Sequence, residues 1–229
     1  MKNILTIFKK ELRSYFNSPI AYIVLFVFLI ITGWFFTSSL FLAGVVTMRN
    51  VFDIIPFIFL FFIPAISMRA FSEELKSGTI ELLLTKPITD LDIIIGKFLA
   101  ALALTAIALA FTVVYVFSLT FLGKIDLAPI IGTYLGLLLM SGIYIGIGIF
   151  ASSLTENQVV AFILSFVIVF ALFLLNKVLI FLPASVASIL EYISTDYHFS
   201  NIARGVIDSR NIIYYFSGIA IFMLLTKAS

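Results

Sequence analysis

The chain has 229 residues, of which 62% are hydrophobic, 16% aromatic and only 11% charged, less than half the roughly 25% charged share of a soluble domain, so most of its surface must face lipid. A formal net charge of +2, with the basic residues dispersed rather than gathered into a stripe, argues against nucleic acid as a partner. No cysteine is present, which excludes disulfides, thiolate nucleophiles and Cys-ligated metals.

Residues 1–18 carry Ile4, Phe8, Leu12, Tyr15 and Phe16 at three-to-four-residue spacing, with Lys2, Lys9, Lys10 and Arg13 falling mostly elsewhere. This pattern predicts an amphipathic helix lying on the membrane surface, ended by Ser18-Pro19. The charges alone suit a topology signal; the apolar stripe suits packing against a partner as well. The apolar run that follows is longer than a signal-peptide core and ends without a small-residue cleavage pattern, so it reads as a retained span.

Six apolar segments follow: 20–43, 52–68, 98–123, 127–153, 158–182 and 212–226. A helix needs about 20 residues to cross the hydrocarbon core, which makes the chain an all-α polytopic membrane protein with six spans. The second, with Asp53 near its start and Pro56 and Pro64 inside, is expected to be kinked or partly re-entrant. The fourth carries Gly132 with Gly136 and Gly142 with Gly146, two small-xxx-small pairs suited to close packing within one subunit or to a seam between subunits. The sixth has 15 residues, about 23 Å of helix, which is short for a full crossing.

Between the second and third spans lie residues 69–97, far more than a turn between helices requires. Ser72 suits the cap of a short helix with Glu73 and Glu74 in its first turn and Gly78 at its close. Thr79 suits the cap of a second, 80–85, with Glu81 near its positive end and Pro87 beyond it. Thr89-Asp90-Leu91-Asp92 is a third start signal. Leu82, Leu83 and Leu84 beside Glu73, Glu74 and Glu81 suit a joint covered by a partner; resting on the membrane surface or on the chain's own helices is the plainer alternative. With the N-terminus inside, nine Lys and Arg residues fall on the cytoplasmic side and five outside, so both termini are expected in the cytoplasm. Segment 183–210 is then an outer loop, read either as one or two short helices dipping into the interface or as a solvated loop. Tyr192, Tyr197, Tyr214 and Tyr215 are placed as an interfacial belt.

Nothing in the chain supports bond chemistry. No Walker-type Gly-Lys-Ser/Thr loop is present, and His198, the single histidine, reads as an ordinary interfacial residue without a second imidazole. No catalytic, cofactor or metal site is therefore expected. Asp53 and Asp126 stand at predicted span boundaries, which weighs against a buried proton relay.

Phe71-Ser72-Glu73-Glu74 through Gly78-Thr79-Ile80-Glu81-Leu82-Leu83-Leu84-Thr85-Lys86-Pro87-Ile88, together with Phe8-Lys9-Lys10-Glu11-Leu12 and Ser18-Pro19-Ile20, resembles the permease subunits of type-2 ATP-binding-cassette (ABC) exporters. The resemblance is nearest to the gliding-motility-associated subfamily of Bacteroidota. It implies a multi-pass subunit of a bacterial inner membrane that pairs with a second permease copy, identical or related, and docks on two cytoplasmic ABC ATPase subunits that hold ATP and magnesium. A periplasmic subunit is also compatible with it. Carried onto this sequence, the loop between spans two and three becomes a coupling helix. Its docking residues would be Glu73, Glu74, Gly78, Thr79, Glu81, Leu82 and Leu83, with Glu156 on the second cytoplasmic loop. Ile4, Phe8, Leu12 and Phe16 would lie on a connecting helix bracing that joint. The competing reading is a non-transporting scaffold that anchors a cytoplasmic or envelope assembly.

Overall fold

The structure, a computed structural model, describes residues 2–79, 88–123, 125–205 and 208–229, with the backbone alone at 2, 180, 184–186, 188 and 189. It is 86% helix, and no strand occurs among the described residues. Helix α1 spans Lys2–Asn17 and α2 spans Pro19–Thr37, continued by a wider-wound turn, Ser38–Leu42. Then come α3 (Arg49–Ser67), α4 (Ser72–Ser77), α5 (Asp90–Thr120), α6 (Leu127–Ser153) and α7 (Gln158–Val178). Two short helices, α8 (Ala184–Ile193) and α9 (Thr195–Ala203), precede α10 (Ser209–Ala228). Six helical stretches among the described residues are long and apolar enough to cross a membrane, built on α2, α3, α5, α6, α7 and α10.

Short polar side chains start these helices. Ser18, Asp126, Asn157 and Asp208 each accept from the backbone N–H two residues on, and Thr89 and Asp92 form a reciprocal capping box. Each satisfies an N–H that the first helical turn leaves without a partner. The helices therefore outrun the apolar runs. Helix α10 begins at Ser209, three residues before the 212–226 segment, and its 20 residues span about 30 Å, enough for a crossing. The expectation of a short last span fails because Asn211 is helical and buried rather than part of a loop. Helix α3 likewise starts at Arg49 and keeps both Pro56 and Pro64 inside one helix. Helix α5 starts at Asp90 and so carries Lys97 in its third turn.

Helix α6 is the axis of the bundle: 78% of its apolar window is buried, against 17% for α7 and for α10. Its glycines let neighbours approach. A Cβ on Gly132 would stand 2.5 Å from the Ile202 carbonyl oxygen of α9, and one on Gly136 would touch Phe199. On Gly142 and Gly146 it would meet Ile219 and Phe222 of α10 at 2.7 and 3.2 Å. All four glycines thus seat helices of the same chain. Phe26, Trp34, Phe117, Ile163, Ile213 and Phe216 point outward, as surfaces bathed in lipid do.

The segment between α7 and α10 folds onto the bundle as α8 and α9. Of the four tyrosines expected at an interface, Tyr192 is exposed and Tyr197 half-buried, while Tyr214 and Tyr215 of α10 find partners in the fold. Tyr215 is fully buried and its hydroxyl donates to the Thr195 carbonyl at 2.8 Å, while Tyr214 stacks on His198 with ring centroids 3.9 Å apart. His198 is itself buried, its Nδ1 2.7 Å from Asn211 Oδ1 and its Nε2 3.0 Å from the Tyr192 carbonyl. The polar tips of Tyr214, Tyr215 and His198 each find a partner within the chain.

Candidate functional site: a charged joint at one end of the bundle

At the end of the bundle where α3 stops, a turn over residues 68–71 leads into α4. The backbone N–H groups of Phe71 and Ser72 both donate to Ser152 Oγ of α6, at 2.8 and 3.0 Å, and Ser152 Oγ donates to the Met68 carbonyl at 3.0 Å. One hydroxyl therefore satisfies three groups of the corner and fixes α4 to the bundle axis. Ser72 is not the cap expected of it. Its buried side chain turns back to the Met68 carbonyl, and Phe71 takes the cap position without a side-chain bond. Gly78 closes α4 in the left-handed region at φ +68°, a conformation glycine adopts without steric cost.

Helix α1 lies along the first turns of α5. Gly96 allows this, since a Cβ there would stand 2.6 Å from Ile7 Cγ2 and 3.3 Å from the Ile4 carbonyl. Ile4, Phe8, Leu12 and Phe16 are half-buried, with Ile7 and Phe16 packed on the core, so the apolar stripe of α1 rests at least partly on its own chain. The hydroxyl of Tyr15 donates to the Ile66 carbonyl at 2.9 Å, tying α1 to the end of α3; burial, and secondarily Glu11, push the Tyr15 phenol up. Changing Tyr15 to Phe should therefore lower the detergent melting stability by about 1 kcal/mol, because the buried carbonyl loses its donor. Arg69 adds a second tie: its guanidinium donates to Ser18 Oγ at 2.8 Å and pairs with Glu73 at 2.9 Å.

Between these ties sits Lys97, only 3% exposed. Its Nζ lies 3.0 Å from Glu74 Oε1 and 3.5 Å from Glu11 Oε1, donates to the Ala70 carbonyl, and stands 5.0 Å from the centre of the Phe71 ring. Lys10 closes the cluster at 3.4 Å from Glu11 and 3.5 Å from Glu74. Burial alone would lower the Lys10 ammonium, but Glu11 and then Glu74 outweigh it and hold its pKa above the ordinary value. Two cations and two carboxylates thus join α1, α4 and α5 into one body, with Glu74 Oε2 buried and without a hydrogen-bond partner. A buried ammonium that binds three elements is costly to unmake.

The residues expected to form a docking face separate here. Glu73 is half-exposed and paired with Arg69; Gly78, Thr79 and Glu156 are exposed, and Thr79 Oγ1 lies 2.9 Å from Ser77 Oγ. Glu74 sits differently from these. With its side chain 13% exposed and held by Lys97 and Lys10, it belongs to the interior of the joint, where neutralising the buried ammonium outweighs exposure to water. Glu81, Leu82 and Leu83 lie outside the described residues. Lys97, Lys10, Glu11 and Ser152 were not among the residues expected at the joint. A signal existed for two of them: Lys97 is a cation two turns inside an otherwise apolar helix, which demands a carboxylate, and Glu11 is the one acid among the basic residues of 1–18. Among the described residues no cluster of His, Asp or Glu could hold a metal ion.

No curated protein matches the chain. Residues 5–198, however, match the family model of ABC-2 family transporter proteins, a stretch that takes in nearly all of α1, both other helices of the joint, α4 and α5, the glycine-lined axis α6, and α8. Since that is most of the 229 residues, the chain belongs to the ABC-2 transporter family, as a membrane permease subunit whose family implies an ABC ATPase partner.

Proposed function

We propose that the chain is the force-receiving half of an ATP-driven exporter or mechanical envelope complex, of the kind associated with gliding motility, in a bacterial inner membrane with both termini cytoplasmic. Two such permease chains would pair over two ATPase subunits. The observation that carries the reading is the Lys97 cluster, which gives the segment after α3 a rigid root. A load applied at Glu73, Thr79 or the segment beyond would pass through Glu74 and Lys97 into α5 and through Glu11 into α1, so that elements with two packed arrangements move as bodies. ATP and magnesium would be held by the partner, and this chain's residues would transmit displacement without making or breaking bonds. A periplasmic subunit is compatible with the same arrangement.

Co-purification with a tagged ABC ATPase encoded beside this chain, followed by reconstitution, tests the proposal. The permease should raise ATPase turnover, and changing Leu82 and Leu83 together to Asp should abolish both retention and stimulation, because two charges would replace apolar anchors. Retention of the ATPase by that variant removes the docking assignment. Unchanged turnover on reconstitution would leave a passive scaffold.

A further inference from the structure

The end of the bundle remote from the Lys97 cluster holds two cavities that share Arg204. The larger, about 740 Å³, opens between the start of α3, the start of α6, the end of α7 and α9; Phe52, Pro56, Phe173 and Phe199 line it together with Arg49 and Lys177. The smaller, about 330 Å³, has Tyr192 and Tyr197 on its wall with His198, Asn201, Arg210 and Asn211. A cavity of several hundred cubic ångströms that combines an aromatic wall with a few fixed polar groups has the dimensions of a ligand site.

The charges here are unevenly spent. Lys177 pairs with Asp196 at 3.3 Å, and Asn176 donates to the same carboxylate at 2.6 Å. Asp126 and Asp208 each accept from the first turn of a helix, α6 and α10, where the helix dipole also offsets them. Of the carboxylates lining the two cavities this leaves Asp53. Against it stand the exposed guanidiniums of Arg49, Arg204 and Arg210, none of which has a carboxylate of the described residues within 4.0 Å. A chamber with one aromatic wall and charged residues around the rest, joined to a smaller one at an arginine, with three uncommitted guanidiniums against one uncommitted carboxylate around the pair, complements a molecule that carries an apolar chain and an anionic phosphate.

The geometry points to a binding site for an anionic phospholipid, its acyl chain against Phe52, Phe173 and Phe199 and its phosphate at Arg204 within reach of Arg49 or Arg210. The assignment rests on the proposed function only for naming this end the outer one. Lipid retention needs neither ATP nor an ATPase, so the two can fail separately.

Native mass spectrometry of the purified full chain, titrated with palmitoyl-oleoyl phosphatidylglycerol and in parallel with the phosphatidylcholine of the same chains, tests it. One phosphatidylglycerol should be retained per chain, with affinity about tenfold above phosphatidylcholine, and changing Arg49 and Arg204 together to Gln should lower that affinity by about tenfold, the effect of losing one charge-assisted contact. Both arginines are exposed, so the variant should keep its helix content by circular dichroism. Changing Arg13 to Gln, on the exposed side of α1 at the opposite end, should leave retention as it was. Equal retention of the two lipids, an unaltered double variant, or an equal loss with the Arg13 change would each overturn the assignment. Displacement of the lipid by free glycerol phosphate at equal concentration would do so too, since the site would then read the phosphate without the chain.

Discussion

Replacing Lys97 with Met is expected to release α1 and α4 from α5 and to lower the stability of the purified chain by about 3 kcal/mol, near the lower end of what breaking a buried ion pair costs. The loss arises because Glu74 and Glu11, with side chains 13% and 16% exposed, would keep their charge in a poorly hydrated joint. Lys10 remains beside both carboxylates, which keeps the cost from the upper end. Melting in detergent measures the stability, and limited proteolysis within α1 and α4 reports the release directly. Changing Lys97 to Met with Glu11 and Glu74 to Gln and Leu removes the stranded charges, and should return most of the lost stability. Unchanged melting and cleavage in the single variant would mean that the cluster does not hold the joint. The remaining Lys10 pairing should survive any physiological pH. Its pKa is raised, so its contribution is complete below the ordinary lysine value and is lost only as pH rises through the raised one.

The membrane architecture was legible because its signals are local. Six apolar runs announce six spans, and Thr89 with Asp92, Asp126 and Gly78 each state where a helix starts or stops from within a few residues. The joint was not legible, since its partners meet across long separations: Lys97 reaches Glu11 over 86 residues, and Phe71 reaches Ser152 over 81. No periodicity in a single helix encodes such pairings. Asn211 shows the converse error. Read alone, an asparagine after an arginine ends an apolar run; in the fold it is the partner of a buried His198 and belongs to the first turn of α10. Tyr215 was given the wrong environment, because a hydroxyl directed at a carbonyl 20 residues away, at Thr195, leaves the same sequence signature as one directed at water.

Changing Gly148 to Val is expected to disrupt the packing of α3, α6 and α7 and to cost about 3 kcal/mol or more, the upper range for overpacking a core. Gly148 lies outside both small-xxx-small pairs of α6, yet a Cβ there would stand 1.8 Å from Ser67 Oγ, 2.6 Å from Ser67 Cβ and 3.3 Å from Ser165 Oγ. Rotating the Ser67 hydroxyl cannot relieve this, because its Cβ is fixed by the α3 backbone and its Oγ already donates to the Ile63 carbonyl at 2.8 Å. The helices themselves must part, and three of the chain's spans meet at this point. Helix propensity acts in the opposite direction, favouring alanine over glycine by about 1 kcal/mol, so any loss of stability on changing Gly148 to Ala comes from the clash and understates it. Adding Ser67 to Gly should then restore the alanine variant, since both offending atoms are gone. Gly123, where a Cβ would meet only Val46 at 3.6 Å, should accept alanine with no loss. A Gly148→Val chain that melts with the wild type would show that α3 and α6 do not approach as closely as their small residues permit.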